Sequence, residues 1–441
     1  MATMLRLLAV ALALAAVPAL AQTISVQEAL LRAKPAVAVV ITEVAGEVTL
    51  HCPGGQVKVT PDPVRETGTG WFVTPDGWVI TNAHVVSLAH RPPQSVTSRL
   101  ADRAARPGCR PGAVALDPSI SVVLSNGFRL PARVAKYSPP VAGEEMSGQD
   151  LALLRLEAAD MPSLVLGDSM AARIGDPLHV VGFPGVVLTH ELLNATARVE
   201  ASVTSGAISG FKQDRAGQPV IQTDAPAAWG NSGGPALDHQ GRVIGVLTFV
   251  TLSGGDQGGI VQGFNFVIPV QTVREFLEGT GVDLDAPSRF NRAWHAALRD
   301  FFAGRHARAA AALEEANRLM PELPDVRRLT AENEELIRNP PPRPFPWRLA
   351  LGIAAAAAGA VAAALLAVRR RRNRFRIGPA EVKRLLDGPD PPVIIDVRDS
   401  ATYERSPVRI PDARHVPPET LESGDAGLDL PRERTVVAYC T

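Results

Sequence analysis

Three short segments hold the residue types that nucleophilic catalysis needs: TNAHVV around His84, DLALLRLE from Asp150, and GNSGGP around Ser232. A serine hydroxyl is a weak nucleophile near neutral pH. It needs a base to take its proton and a third group to hold that base in the right tautomer. His84 suits the first task and Asp150 the second. The glycines beside Ser232 let backbone N–H groups converge on a developing oxyanion. Each residue alone would be an ordinary surface histidine, strand-end aspartate or turn serine. Together, they point to acyl transfer at a carbonyl, with a protein or peptide as substrate.

Those residues must be carried by a scaffold of short strands. AVAVVITEV, GWVITNAHVV, ISVVLSNG, LHVVGFPG, PVIQTD and GRVIGVLTFV are β-branched runs separated by Gly, Pro and Asp turns, the pattern of an antiparallel sandwich or barrel. Residues 22–280 are long enough for two six-stranded barrels in tandem, with His84 and Asp150 in the first and Ser232 in the second. Val267-Ile268-Pro269 and VQTVREFLE then read as a last strand running into a closing helix.

GTGWFVTPDGWVITNAHVV, DLALLRLE, LGDSMAARIGDPLHVVGFPG, QTDAPAAWGNSGGPALDHQGRVIGV and GFNFVIPV, in that order, resemble an HtrA/Deg-type, trypsin-like serine protease domain over residues 25–280. The resemblance implies that His84 is the general base, Asp150 its orienting carboxylate and Ser232 the nucleophile. It implies an oxyanion hole at Gly230, Asn231 and Ser232, with the amides of Gly230 and Ser232 donating and Asn231 shaping the turn. Asp224, eight residues before Ser232, would brace the loop. The position six before Ser232, where trypsin-like enzymes set primary specificity, is Pro226 and not a carboxylate. A pocket of Pro226, Leu247, Thr248 and Phe249 would favour small or medium aliphatic side chains. Two departures stand out. The interval from His84 to Asp150 is 66 residues and holds an insertion, RPPQSVTSRLADRAARPGCRPG, at about 91–112. No PDZ-like segment follows the protease. Trp229, immediately before GNSGG, is also unusual.

From 287 to 338 the period becomes helical. Phe290, Trp294, Ala297, Leu298 and Phe301 share one face, and Ala309, Leu313, Ala316 and Leu319 another. The placement of Gly304, Ala309, Leu313, Ala316 and Pro321 resembles one tetratricopeptide repeat. A single repeat cannot bury its own core, so this helical hairpin either leans on the protease, acts as a stalk, or recruits a protein partner. Residues 339–348 (NPPPRPFPWR) form a stiff linker.

Residues 1–21 read as a secretory signal, with Arg6, an apolar run and Ala19-Leu20-Ala21. Residues 349–368 carry no charge and can span a hydrocarbon core, and the arginines at 369–372, 374 and 376 put that end in the cytoplasm. The expectation is a bacterial inner-membrane protein with an extracytoplasmic (periplasmic) protease. Cys52 and Cys109 both fall in exported loops, where a disulfide is permitted.

Residues 378–441 alternate helix and strand. GPAEVKRLL, VIIDVRDSATYE, RIPDARHVP and VVAYC resemble the first half of a rhodanese domain, with Cys440 at the persulfide-forming position. Val408-Arg409 replace the Gly-His of that family, and only Thr441 follows Cys440, so the site is incomplete as it stands. An inert or regulatory α/β module is expected, and a rhodanese-type sulfurtransferase through Cys440 is the alternative function. A scaffold using the helices is another. No cofactor and no metal-ligand cluster is expected. The formal net charge of zero gives no electrostatic case for nucleic acid. An oligomer is possible.

Overall fold

The computed structural model describes residues 24–139, 149–214, 216–252, 260–342, 345–423, 429–431 and 433–440. The expected leader at 1–21 lies outside them. Two units are present, divided near Pro341.

Seven strands build the first half of the larger unit: β1 (Val37–Cys52), β2 (Gly55–Val59), β3 (Val64–Phe72), β4 (Trp78–Thr81), β5 (Arg110–Val123), β6 (Arg129–Ser138) and β7 (Leu151–Leu156). Antiparallel pairing runs β2-β1-β3-β4-β7-β6-β5, and β5 pairs back onto β1, closing a six-stranded barrel with β2 at its margin. The second half has six strands: β8 (Pro177–Gly182), β9 (Ser202–Gln213), β10 (Pro219–Thr223), β11 (Pro235–Leu237), β12 (Val243–Leu252) and β13 (Ile260–Pro269). They close in the order β10-β13-β12-β11-β8-β9. Alternating apolar positions fill each interior. The burial pattern along β1 alternates strictly over residues 41–50, as a one-sided strand requires.

A third apolar cluster joins the barrels. Trp71, Ile80, Leu151 and Leu153 from the first meet Val181, Phe183, Val246 and Ile268 from the second, with the closing helix Val270–Leu277 on its margin. Leu151 is the neighbour of Asp150, and Phe183 lies just past β8, so this buried seam locks together the strand ends that carry the site. Burying such side chains contributes roughly 1.5–3 kcal/mol each before entropy is counted.

The insertion at 91–112 has a structural task. Its helix Gln94–Ala104 turns Val96, Leu100 and Ala104 onto Val44, Val48 and Leu50, covering the long ends of β1 and β5. Cys52 and Cys109 are joined there by a disulfide that closes a 57-residue interval.

Residues 287–338 form three helices, not the two of a hairpin: Arg289–Phe302, His306–Leu319 and Pro324–Arg338. Phe290, Trp294, Leu298, Leu313, Val326 and Leu329 share one core with Phe72, Val122, Leu154 and Met161 of the first barrel. Trp294 Nε1–H donates to the Leu31 carbonyl at 2.7 Å, and Ser288 Oγ donates to the Met161 carbonyl at 2.9 Å. The helices therefore bury their apolar face on the barrel.

In the smaller unit, Trp347–Arg372 is one 26-residue helix with no buried residue. At 1.5 Å per residue it is about 39 Å long, and by length and composition it can cross a membrane. Beyond it, three short parallel strands, Val393–Asp396, Arg414–His415 and Val436–Tyr439, pair with the first of them central.

Candidate active site

His84 sits in the first turn of helix Ala83–His90, directly after β4. Asp150 immediately precedes β7 and has a positive φ of 51°, a region aspartate tolerates better than most residues. The two meet across the barrel mouth because β4 pairs with β7, with Thr81 opposite Ala152. His84 Nδ1 lies 2.8 Å from Asp150 Oδ2, and the His84 backbone N–H donates to Asp150 Oδ1 at 3.0 Å. One carboxylate thus grips both ring and backbone of the histidine. Asn82 Nδ2 donates to the Asp150 carbonyl at 2.8 Å, fixing the backbone of the acid as well. The imidazole keeps 40% of its side-chain surface exposed and the carboxylate 13%, so the base faces solvent while its partner is covered.

Burial depresses the imidazole pKa, but the hydrogen bond it donates to Asp150, the charge of Asp150 and that of Glu66 outweigh it, and the net shift is upward. The carboxylate therefore favours the imidazolium that forms when the base takes a proton.

Ser232 lies in the turn between β10 and β11. Gly230 and Gly233 adopt φ of +97° and +86°, and a Cβ at Gly233 would stand 2.1 Å from the Thr69 carbonyl. Only glycine fits such an approach. Thr69 organises the turn. Its backbone N–H donates to the Ser232 carbonyl at 2.8 Å, and its hydroxyl donates to the Gly230 carbonyl at 2.7 Å. Among the described residues the amides of Gly230 and Ser232 have no partner, whereas the Asn231 amide donates to Ala228 O at 3.1 Å. Asn231 thus shapes the turn, and two amides remain for an oxyanion. The Trp229 carbonyl accepts from the Gly185 N–H at 2.6 Å. In a trans peptide this sends the Gly230 N–H the opposite way.

The Ser232 hydroxyl donates to the Thr248 carbonyl at 3.1 Å. The Thr248 side chain in turn donates to Asp150 Oδ2 at 2.6 Å, sharing that oxygen with His84. Sequence reasoning placed Thr248 in a specificity pocket and gave Thr69 and Asn82 no part. Asn82 was within reach, two residues before His84, whereas no local signal marks Thr69 or the bond from Thr248.

Over residues 68–246 the chain matches the model described as a trypsin-like peptidase domain. This segment is a trypsin-like peptidase domain. Its curated relatives include a probable periplasmic serine endoprotease DegP-like from Chlamydia pneumoniae, 31% identical over 206 residues, covering 46% of this chain and 32% of the relative. A putative serine protease HhoB from Synechocystis is 29% identical over 233 residues, covering 51% and 43%. The chain thus spans about a third to two fifths of the length of these relatives. Among solved structures, the HtrA-type protease AlgW with tripeptide covers 58% of this chain and 65% of that one, at 24% identity and a TM-score of 0.38. Residues 378–441 match a rhodanese-like domain.

Within the peptidase domain, Asp224 Oδ1 accepts from the Ala207 N–H at 2.6 Å, tying the end of β10 to β9. Pro226 is exposed, and its carbonyl accepts from Thr204 Oγ1 at 2.7 Å. Leu247 is buried in the core of the second barrel with Ala225 and Ala227. The Phe249 side chain lies outside the described residues. Of the four expected pocket residues, Pro226 alone is shown open to solvent. In the rhodanese-like segment, Cys440 is an exposed free thiol next to the last strand. Beside it the Tyr439 hydroxyl donates to Asp396 at 2.6 Å, while Arg398 pairs with the same buried carboxylate. Among the described residues no group of three or more His, Cys, Asp or Glu could hold a metal ion.

Proposed function

We propose that this chain is a membrane-tethered serine endopeptidase of the bacterial envelope, cleaving misfolded or specific exported proteins through an acyl-enzyme on Ser232. The observation that carries the reading is the 2.8 Å contact of His84 with Asp150 beside a glycine turn whose amides at 230 and 232 are unpaired. With substrate in place, the Ser232 hydroxyl swings from the Thr248 carbonyl to His84 Nε2, and the imidazole takes its proton as Oγ attacks the peptide carbonyl. The oxyanion is held by the Gly230 and Ser232 amides. The imidazolium, held by Asp150, passes the proton to the leaving amine. A water activated by the same imidazole then hydrolyses the acyl-serine.

The tether is the helix Trp347–Arg372, whose arginine-rich end lies in the cytoplasm by the positive-inside rule. That topology leaves the peptidase domain in the periplasm, the compartment in the names of its DegP-like relatives. Because Pro226 replaces any carboxylate at the specificity position, the favoured residue before the scissile bond is aliphatic.

The test is cleavage of unfolded casein by the full-length protein in detergent, wild type against Ser232→Ala. Fragments from the wild type alone support the reading, and equal cleavage by both proteins ends it.

A further inference from the structure

The segment 185–200 runs from the serine turn to the helical appendage, and both of its ends are tied. At the near end, the Gly185 N–H holds the Trp229 carbonyl, whose peptide plane carries the Gly230 amide. At the far end, the Glu200 carboxylate accepts from Arg328 at 2.8 and 3.0 Å and from Lys34 Nζ at 3.0 Å. Lys34 also donates to Asp325 at 2.8 Å. Arg328 and Asp325 belong to the third helix of the appendage, Pro324–Arg338, and Lys34 follows the N-terminal helix Val26–Ala33.

Between those ends the chain is a string of short turns, each bonded to the next. Leu188 N–H donates to Pro184 O, His190 to Val187 O, Leu193 to His190 O, Arg198 to Asn194 O and Glu200 to Ala197 O. The Arg198 guanidinium returns to the Leu193 carbonyl at 2.9 Å, and Asn194 caps the Ala197 amide at 2.8 Å. Val199 and Leu188 pack on the seam between the barrels, so the string has a firm floor. Glu200 is only 24% exposed. Burial raises its pKa, and the hydrogen bonds from Arg328 and Lys34 more than reverse this, so the carboxylate is ionised near neutral pH.

We propose that Glu200 is a positioning residue: clamped by Arg328 and Lys34, it lets the helical appendage set the Trp229–Gly230 peptide and hence the oxyanion donor. The inference rests on the endopeptidase reading for its kinetic consequence but not for its structural one. Glu200 touches neither substrate nor the reacting atoms. Its effect passes through the bonded string to one peptide plane, and a donor displaced from the developing charge loses most of its value. Contiguity alone does not establish coupling, so the test measures it directly.

The test compares full-length wild type, Glu200→Gln, Glu200→Asp, Arg328→Gln and the double variant Glu200→Gln/Arg328→Gln. Arg328→Gln is included because its side chain is 60% exposed and can be changed without disturbing a core. The expected result is a fall in kcat of about tenfold in Glu200→Gln with KM changed less than about twofold, and partial recovery in Glu200→Asp. The double variant should lose no more than the worse single one. Amide hydrogen exchange should speed up at 184–190 and 228–234 while β1 and β5 are unchanged. Unaltered exchange at 228–234 overturns the proposal whatever the kinetics, as do additive losses in the double variant. Absence of Ser232-dependent cleavage in the wild type would sink the endopeptidase reading alone, since exchange still decides whether Glu200 sets the turn.

Discussion

Thr248 donates its hydroxyl to Asp150 Oδ2 at 2.6 Å, the same oxygen that His84 Nδ1 approaches at 2.8 Å. The acid of the first barrel is thus oriented by a residue of the second, and the Thr248 carbonyl meanwhile holds the Ser232 hydroxyl at 3.1 Å. Thr248→Val keeps the shape, leaves the backbone carbonyl in place and removes only the donor. The carboxylate then loses a fixed bond and can rotate away from the ring. A fall in kcat of about one to two orders of magnitude, with KM nearly constant, is expected from steady-state cleavage of an unfolded substrate. An unchanged kcat would mean that the His84 contacts alone hold Asp150.

The raised pKa of His84 has opposite consequences for stability and activity. The folded-state value lies above the ordinary 6.5. The stabilisation from pairing the imidazolium with Asp150 is therefore fully present below 6.5 and is lost as pH rises through the folded value. Catalysis needs the neutral ring, so activity rises over the same interval. The acid limb of kcat/KM should stand above that of a free histidine. Glu66→Gln removes a charge that contributes to the upward shift and should move the limb down without abolishing turnover. A limb that stays put in Glu66→Gln, measured at fixed ionic strength, would rule out that charge as a contributor.

Much of this site could be read directly from the chain because each catalytic candidate carries a local signature. His84 follows a strand within TNAH, Asp150 opens an apolar strand, and Ser232 lies among glycines that permit a left-handed turn. The two barrels were legible for a similar reason, since period-two runs and turn residues act over a few positions. The supports were not. Thr69 reaches Gly230 across 161 positions and Glu200 reaches Arg328 across 128, and such pairings exist only once the topology is closed. The third helix of the appendage did carry a mark, Pro324 in its first turn. Of its apolar residues Val326, Leu329, Leu336 and Ile337, only Val326 and Leu329 are buried, so the face it covers shows only once the barrel is known.

The Cys52–Cys109 bond fastens the ends of β1 and β5, where His51 already pairs with Arg110. Cross-linking a 57-residue interval removes unfolded-state entropy equivalent to about 4 kcal/mol as an upper figure. The bond is remote from the serine turn in the sheet, so its contribution is to stability and not to turnover. Cys52→Ala/Cys109→Ala should lower the thermal midpoint of the full-length protein by several degrees and leave kcat within about twofold. Reductant should lower the wild-type midpoint to match and have no effect on the double variant.

Cys440 offers a native probe of topology. It is a free, exposed thiol in the rhodanese-like segment, 68 residues beyond the last arginine of the helix Trp347–Arg372 (440 − 372 = 68). Four consecutive arginines close that helix, each costing about 2.5–3.5 kcal/mol if drawn to the bilayer centre. On the proposed topology they keep that end on the cytoplasmic side, and Cys440 goes with them. A membrane-impermeant maleimide should therefore leave Cys440 unlabelled in intact spheroplasts and label it fully once detergent is added. The disulfide at Cys52 and Cys109 leaves no competing thiol outside. Replacing Arg369 to Arg372 by alanine weakens the retention signal and should raise labelling before detergent. Full labelling of wild-type spheroplasts would place the rhodanese-like segment outside the cytoplasm and overturn the orientation.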